Sequence, residues 1–176
     1  MIKCLTIGTM TLNILCADQL NNNRIVFDEA ANQQIVYGFA TIEVFSNPLF
    51  NDWYFNEYED YTPNREILDS LKSQLYCYTI QIVMGTWCGD SRREVPRFIK
   101  LLNAMDFPIE QLTIIGVNRE KCCPEAGVNE GYVDYVPTFI IYRDDREVGR
   151  IIEHPINSLE EDLFSILFNS NYNMQR

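Results

Sequence analysis

The order of hydrophobic periods between residues 77 and 168 constrains this chain more than any other feature. Cys77 to Met84 carries no charge and ends in the apolar run Ile80 to Met84, the pattern of a core strand. From Cys88 to about Ala104 the period becomes helical, with Val95, Phe98, Ile99 and Leu102 on one side. Leu112 to Val117 is again nearly all apolar, as a parallel strand covered on both faces requires. A long loop spans residues 119–135. Thr138 to Tyr142 and Glu147 to Ile152 then flank the tight-turn pair Asp144-Asp145 and predict an antiparallel edge hairpin. Ser158 to Phe168 closes the chain as a helix, with Ser158 as N-cap and Glu161 completing a capping box. Strand, helix, strand, loop, hairpin and helix in this order predict an α/β unit with a central mixed sheet flanked by helices.

Upstream, Arg24 to Phe27 and Ile35 to Tyr37 read as short strands around a polar turn, and Ala40 to Phe45 alternates as another. Asn47-Pro48 is expected to cap a helix running toward Glu59, with proline at its first position. The stretch Trp53 to Tyr61 is dense in aromatics and acids; at helical spacing it reads as core with an acidic outer face. Ile67, Leu68, Leu71 and Leu75 predict a second helix over residues 64–75. No repeat or low-complexity linker intervenes. Residues 18–74 are therefore expected to form an N-terminal strand/helix extension packed on a core of residues 75–176, in one body.

The chain has 176 residues, 47% of them apolar, enough for a packed interior, and a net charge of −11. That charge argues against nucleic acid as a partner, since no lysine or arginine cluster offsets it. The first 17 residues differ from the rest. Lys3 precedes an uncharged, mostly apolar run to Ala17, followed by Asp18 and a polar stretch. This is the pattern of an export signal, too short and threonine-rich for a membrane span, and it implies a periplasmic or extracellular protein. Leu15 stands where such signals prefer a small residue, and the competing reading is a buried strand in a cytoplasmic protein.

Six cysteines are present: Cys4, Cys16, Cys77, Cys88, Cys122 and Cys123. The set is too sparse for a disulfide scaffold. With one histidine, His154, and no Cys-x-x-Cys, it calls for no metal and no other cofactor. Cys77, at the far end of the first core strand, reads as core. Cys88 is different, because it falls where a strand hands over to a helix. There the positive end of the helix dipole favours thiolate, the nucleophilic form. Trp87-Cys88-Gly89-Asp90-Ser91 reads Cys-x-x-Ser, one sulfur and one hydroxyl. Ser91 cannot close a disulfide, so a mixed disulfide on Cys88 waits for another thiol. The candidates are the substrate's own second thiol, a small external thiol, or the adjacent pair Cys122 and Cys123. Arg92, one turn on, reads either as a charge supporting the thiolate or as a solvated arginine. Asp90 is expected to cap the first helical turn from outside.

Trp87-Cys88-Gly89 resembles the active-site start of thioredoxins, Trp-Cys-Gly-Pro-Cys. Pro96 stands eight residues after Cys88, at the offset of that family's helix-kinking proline. Val136-Pro137-Thr138, opening the run Phe139 to Tyr142, resembles its cis-proline segment, and the hairpin across Asp144-Asp145 resembles the last hairpin of its sheet. The resemblance covers roughly residues 75–170 and implies a thioredoxin-like fold. It further implies that Pro137 is cis, that Val136 and Tyr135 with Gly89 and Asp90 line a groove for an extended substrate, and that Trp87 shields the sulfur. Thioredoxins carry a buried aspartate six residues before the active cysteine; here that position is Ile82. Loss of both second sulfur and proton acceptor implies single-cysteine thiol–disulfide exchange on protein or small-molecule disulfides, with a disulfide-bearing protein or small thiol as partner. Two alternatives remain. One is a catalytically silent peptide-binding module; the other is a monothiol glutaredoxin-like protein, whose sites read Cys-Gly-Phe-Ser after a lysine.

Overall fold

The computed structural model describes residues 22–168; the expected export signal lies outside them. Strand β1 (Ile25–Asp28) pairs antiparallel with β2 (Gln33–Val36) as a separate two-stranded hairpin. Strand β3 (Gly38–Ala40) follows, then a 3-10 turn over Ile42–Ser46, helix α1 (Asn51–Asp60) and helix α2 (Arg65–Leu75). Strand β4 (Thr79–Met84) leads into α3 (Gly89–Ala104), and β5 (Leu112–Gly116) follows. Strands β6 (Thr138–Arg143) and β7 (Arg146–Ile152) form a hairpin, and α4 (Leu159–Phe168) closes the described chain.

Five strands make one mixed sheet in the order β3-β5-β4-β6-β7. The β4–β5 pair is parallel and the other three pairs are antiparallel. Central β4 has a neighbour on each side: Ile82 lies opposite Ile114 on β5 and Phe139 on β6. A chain position hydrogen-bonded on both edges and apolar on both faces has no route to water, so β4 fixes the site's floor. Asp144 and Asp145 turn the last hairpin with φ of 50° and 59°, the left-handed pair a two-residue hairpin favours.

Side chains alternate across the sheet and divide the core in two. Ile80, Ile82, Met84, Ile114, Phe139, Ile141 and Ile151 share one cluster with residues of all four helices. Val83, Ile115 and Ile140 face the other way. They pack with Val117, Cys123, Ala126, Val128, Val133 and Val136 from the segment between β5 and β6. The helices thus gather on one face, and an irregular loop covers the other.

Several upstream expectations are corrected. Residues 40–45 do not form a strand: only Gly38–Ala40 pairs, and the chain then coils into the 3-10 turn that buries Val44 and Phe45. This short β3 is an edge strand of the main sheet, so part of the expected extension is built into the core rather than laid on it. Helix α1 starts at Asn51 with Phe50 as N-cap. Asn47 instead closes the preceding turn, its carbonyl accepting from Phe50 and Asn51 and its side chain from Leu49. The expected core residue Cys77 is exposed. It sits in the turn after α2, its N–H donating to the Gln74 carbonyl, and β4 begins two residues later. Apolar composition alone cannot separate a strand's first residues from the turn that feeds it.

At α4 the expected cap is present: Ser158 Oγ accepts from the Glu161 N–H at 3.1 Å. No helix among the described residues is long and apolar enough to cross a membrane.

Candidate functional site

Strand β4 ends at Met84, and Gly85, Thr86 and Trp87 carry the chain into α3. Cys88 is the N-cap of that helix, with extended backbone at φ −93° and ψ 131°. It is half-buried. Its carbonyl accepts from the Arg92 N–H at 3.0 Å, starting the helical ladder. Its thiol donates to the Val136 carbonyl at 3.1 Å, a contact across 48 positions of sequence.

The Val136–Pro137 peptide is cis. Four bonds hold this segment. Thr138 Oγ1 donates to the Tyr135 carbonyl at 2.7 Å, and the Glu153 N–H donates to the Pro137 carbonyl at 2.7 Å. Upstream, the Tyr132 hydroxyl donates to Gln81 Oε1 at 2.7 Å, and Arg150 donates to the Tyr132 carbonyl at 3.3 Å. Val136 and Pro137 are buried and Tyr135 is exposed, so the sulfur faces a fixed backbone with one projecting aromatic ring nearby in sequence.

Trp87 is half-buried and pinned on three sides. Its indole N–H donates to the Val117 carbonyl at 3.0 Å. Its ring lies on Gly85, where an added Cβ would come within 2.4 Å of Cε2. The Arg119 guanidinium covers the ring, 4.4 Å from its centroid. The close approach at Gly85 is the reason a glycine ends this strand.

Ser91 is fully buried, and its Oγ accepts from the Gly85 N–H at 3.3 Å. The hydroxyl therefore satisfies a backbone donor beneath the helix start. Gly89 is exposed, with nothing within 4 Å of a Cβ placed there. Asp90 does not act as a cap: it pairs with Arg93 at 2.7 Å, one turn along the same helix. Arg92 does not stand free as a solvated arginine. It donates to the Thr86 carbonyl at 2.6 Å and to Gln33 of β2 at 2.9 Å, tying the N-terminal hairpin to the site. Thr86 Oγ1 accepts from the Val36 N–H at 3.1 Å and ties it again.

The adjacent pair Cys122 and Cys123 divides in role. Cys122 is half-buried, its thiol directed to the Glu120 carbonyl at 3.4 Å. Cys123 is fully buried in the loop-side cluster against which Cys88 also packs. Burial pushes its thiol pKa up, and the Glu125 carboxylate adds to the shift. All four cysteines within the described residues are free. Ile82 is completely buried where the resemblance would put an acid. His154 is exposed in its side chain and its nearest acidic partner is Glu153 at 3.9 Å.

The sequence reading missed Gly85, Gln33, Thr86 and Arg119. A glycine two residues before a tryptophan at a strand end was a usable sign of close packing. Nothing local points to Gln33 or Arg119, which reach the site from β2 and from the loop after β5. Two surface grooves of about 400 and 340 Å³ lie elsewhere, one between α2 and α4 and one beside α1.

No family model matches the chain, and no curated protein matches it significantly. Among solved structures it is similar to that of a protein of unknown function from Pseudomonas aeruginosa. The two are 10% identical over 70% of this chain and 72% of that one, at a TM-score of 0.41. It is also similar to an HIV epitope scaffold, 11% identical over 69% and 74% of the chains, again at 0.41. Likeness at that level carries no functional argument.

Proposed function

We propose that this protein is a thioredoxin-like thiol–disulfide exchange protein that works through Cys88 alone, in an oxidising compartment outside the cytoplasm. The observation that carries the reading is the 3.1 Å contact between the Cys88 thiol and the Val136 carbonyl, next to a cis proline at the start of β6. Two motifs singled out by the resemblance, 48 positions apart in the chain, meet at one half-exposed sulfur on a helix N-terminus.

In the reaction, the Cys88 thiolate attacks one sulfur of a disulfide. A new S–S bond joins Cys88 to that sulfur, the old S–S bond breaks, and the second substrate sulfur leaves as thiolate with the electron pair. Return to free Cys88 needs a second thiolate. Cys123 is a poor source, being buried with its pKa raised. The substrate's own thiol or a small external thiol fits better. The buried Ser91 and Ile82 agree with a site that forms and releases mixed disulfides without an internal dithiol cycle.

The test is intact mass after incubation with a disulfide-bonded peptide, followed by peptide mapping. A mixed disulfide on Cys88, absent in Cys88→Ser, is the expected result. If none forms while extended peptides still bind Cys88→Ser, the chain is a peptide-binding module instead.

A further inference from the structure

We propose that Arg119 is the anion-recognising residue of the Cys88 site, so that its preferred disulfides carry a carboxylate close to the S–S bond. The inference rests on the exchange reading above for its substrate and on geometry for its charge. The Arg119 guanidinium lies 4.4 Å from the centroid of Trp87, the residue directly before Cys88. Trp87 is itself held by the Val117 carbonyl and by Gly85, so the platform under the cation is fixed. Stacking orients the guanidinium and leaves the donors on its edge free for an acceptor.

The other arginines near the site are already engaged. Arg92 holds Thr86 and Gln33, Arg93 holds Asp90 and Glu94, and Arg24 pairs with Glu125. Arg119 differs. The Asp28 carboxylate takes its backbone N–H at 3.4 Å, and among the described residues no carboxylate forms an ion pair with its side chain. Arg119 is exposed, and the whole chain carries −11. A cation stacked on the residue before a nucleophile, with no side-chain ion pair among the described residues, has a local effect only on an acidic protein. It selects among small substrates by whether a negative group can reach it, within about one Debye length of 8–10 Å.

Alkylation tests the charge preference without depending on exchange. Iodoacetate and iodoacetamide place the same reacting carbon at Cys88; the sulfur–carbon bond forms and iodide leaves. Rates on the Cys88 peptide are read by mass spectrometry in wild type, Arg119→Gln and Arg119→Glu, at low and high salt. The iodoacetate-to-iodoacetamide ratio is expected to fall about two- to fivefold in Arg119→Gln, the range of one exposed ion pair. It should fall further in Arg119→Glu, and the differences should shrink at high salt. Ratios equal in all three proteins overturn the assignment.

A second arm uses 3,3′-dithiodipropionate, 2-hydroxyethyl disulfide and cystamine, which are anionic, neutral and cationic. Wild type should favour the dianion over cystamine, and Arg119→Glu should reverse the order, with the neutral disulfide unchanged. Reaction with the neutral disulfide but no reordering sinks the Arg119 assignment and leaves the exchange reading standing. Failure with all three sinks the exchange reading and the substrate class together.

Discussion

Replacing Gly85 by alanine should dislodge Trp87 and loosen the whole Cys88 site. The new Cβ would lie 2.4, 2.6 and 2.8 Å from Trp87 Cε2, Nε1 and Cζ2, all inside contact distance. The backbone cannot yield, because Gly85 donates to Ser91, accepts from the Cys88 N–H at 2.9 Å, and follows Met84, whose carbonyl accepts from Val117. The ring must therefore move. It loses the 3.0 Å bond to the Val117 carbonyl, leaving a buried acceptor unpaired, for about 1 kcal/mol. Partial exposure of the ring adds about 1–2 kcal/mol of lost apolar burial. A total near 2–3 kcal/mol is in line with overpacking elsewhere. Urea denaturation reads the stability, and Trp87 emission in a Trp53→Phe background reads the ring. The emission should shift to the red, and Cys88 should alkylate faster. A phenylalanine at 87 lacks the indole edge that clashes, so Gly85→Ala should cost at least ~1 kcal/mol less in a Trp87→Phe background. An unchanged midpoint and emission in Gly85→Ala would refute the contact.

Ser91→Cys tests the thioredoxin-like reading from another side: under mild oxidation the variant should lose two titratable thiols as the introduced sulfur bonds to that of Cys88, and retention of both counts against it. Gly116→Ala would bring a Cβ within 2.3 Å of the Val36 carbonyl oxygen, backbone against backbone, so it should cost about 3 kcal/mol in urea titration, whereas Gly89→Ala meets nothing and should stabilise α3 by about 0.5 kcal/mol. Tyr61 has its pKa raised by burial and by its bond to Glu160, and Tyr142 by burial and by Tyr132. A raised folded value means the unfolded chain ionises first. Their contribution is therefore complete below the ordinary tyrosine value of 10.0 and is lost as pH climbs from there toward the folded values. Tyr61→Phe/Tyr142→Phe should thus be less stable than wild type at pH 8, with the gap closing between pH 10 and 11; a constant gap over that range excludes the linkage.

Much of the fold was legible because each of its periods has a local cause. β4, α3, β5 and the β6–β7 hairpin follow from runs that bury themselves only as strand or helix. The Asp144-Asp145 turn and the Ser158 cap follow from backbone preferences that act within four residues. Errors fell where local rules compete. The alternation at 40–45 suits a strand, yet burying Val44 and Phe45 beneath α1 requires a coil there. Cys77 shares the apolar character of β4 but has no partner strand beside it.

By itself the sequence determined that a cysteine would stand where the first core strand hands over to a helix, with a serine three residues on and only apolar or uncharged residues in the strand before it. Those are statements about spacing along one segment, and helix geometry turns spacing into position. Only the tertiary structure decided which groups gather around that segment: the Val136 carbonyl at the Cys88 thiol, the Arg119 cation from the loop after β5 over Trp87, and Gln33 reaching Arg92 from a hairpin the motif does not include. Such partners are set by how strands pair and how a loop packs on the free face of the sheet. Those contacts join segments far apart in the chain, and no local period encodes them.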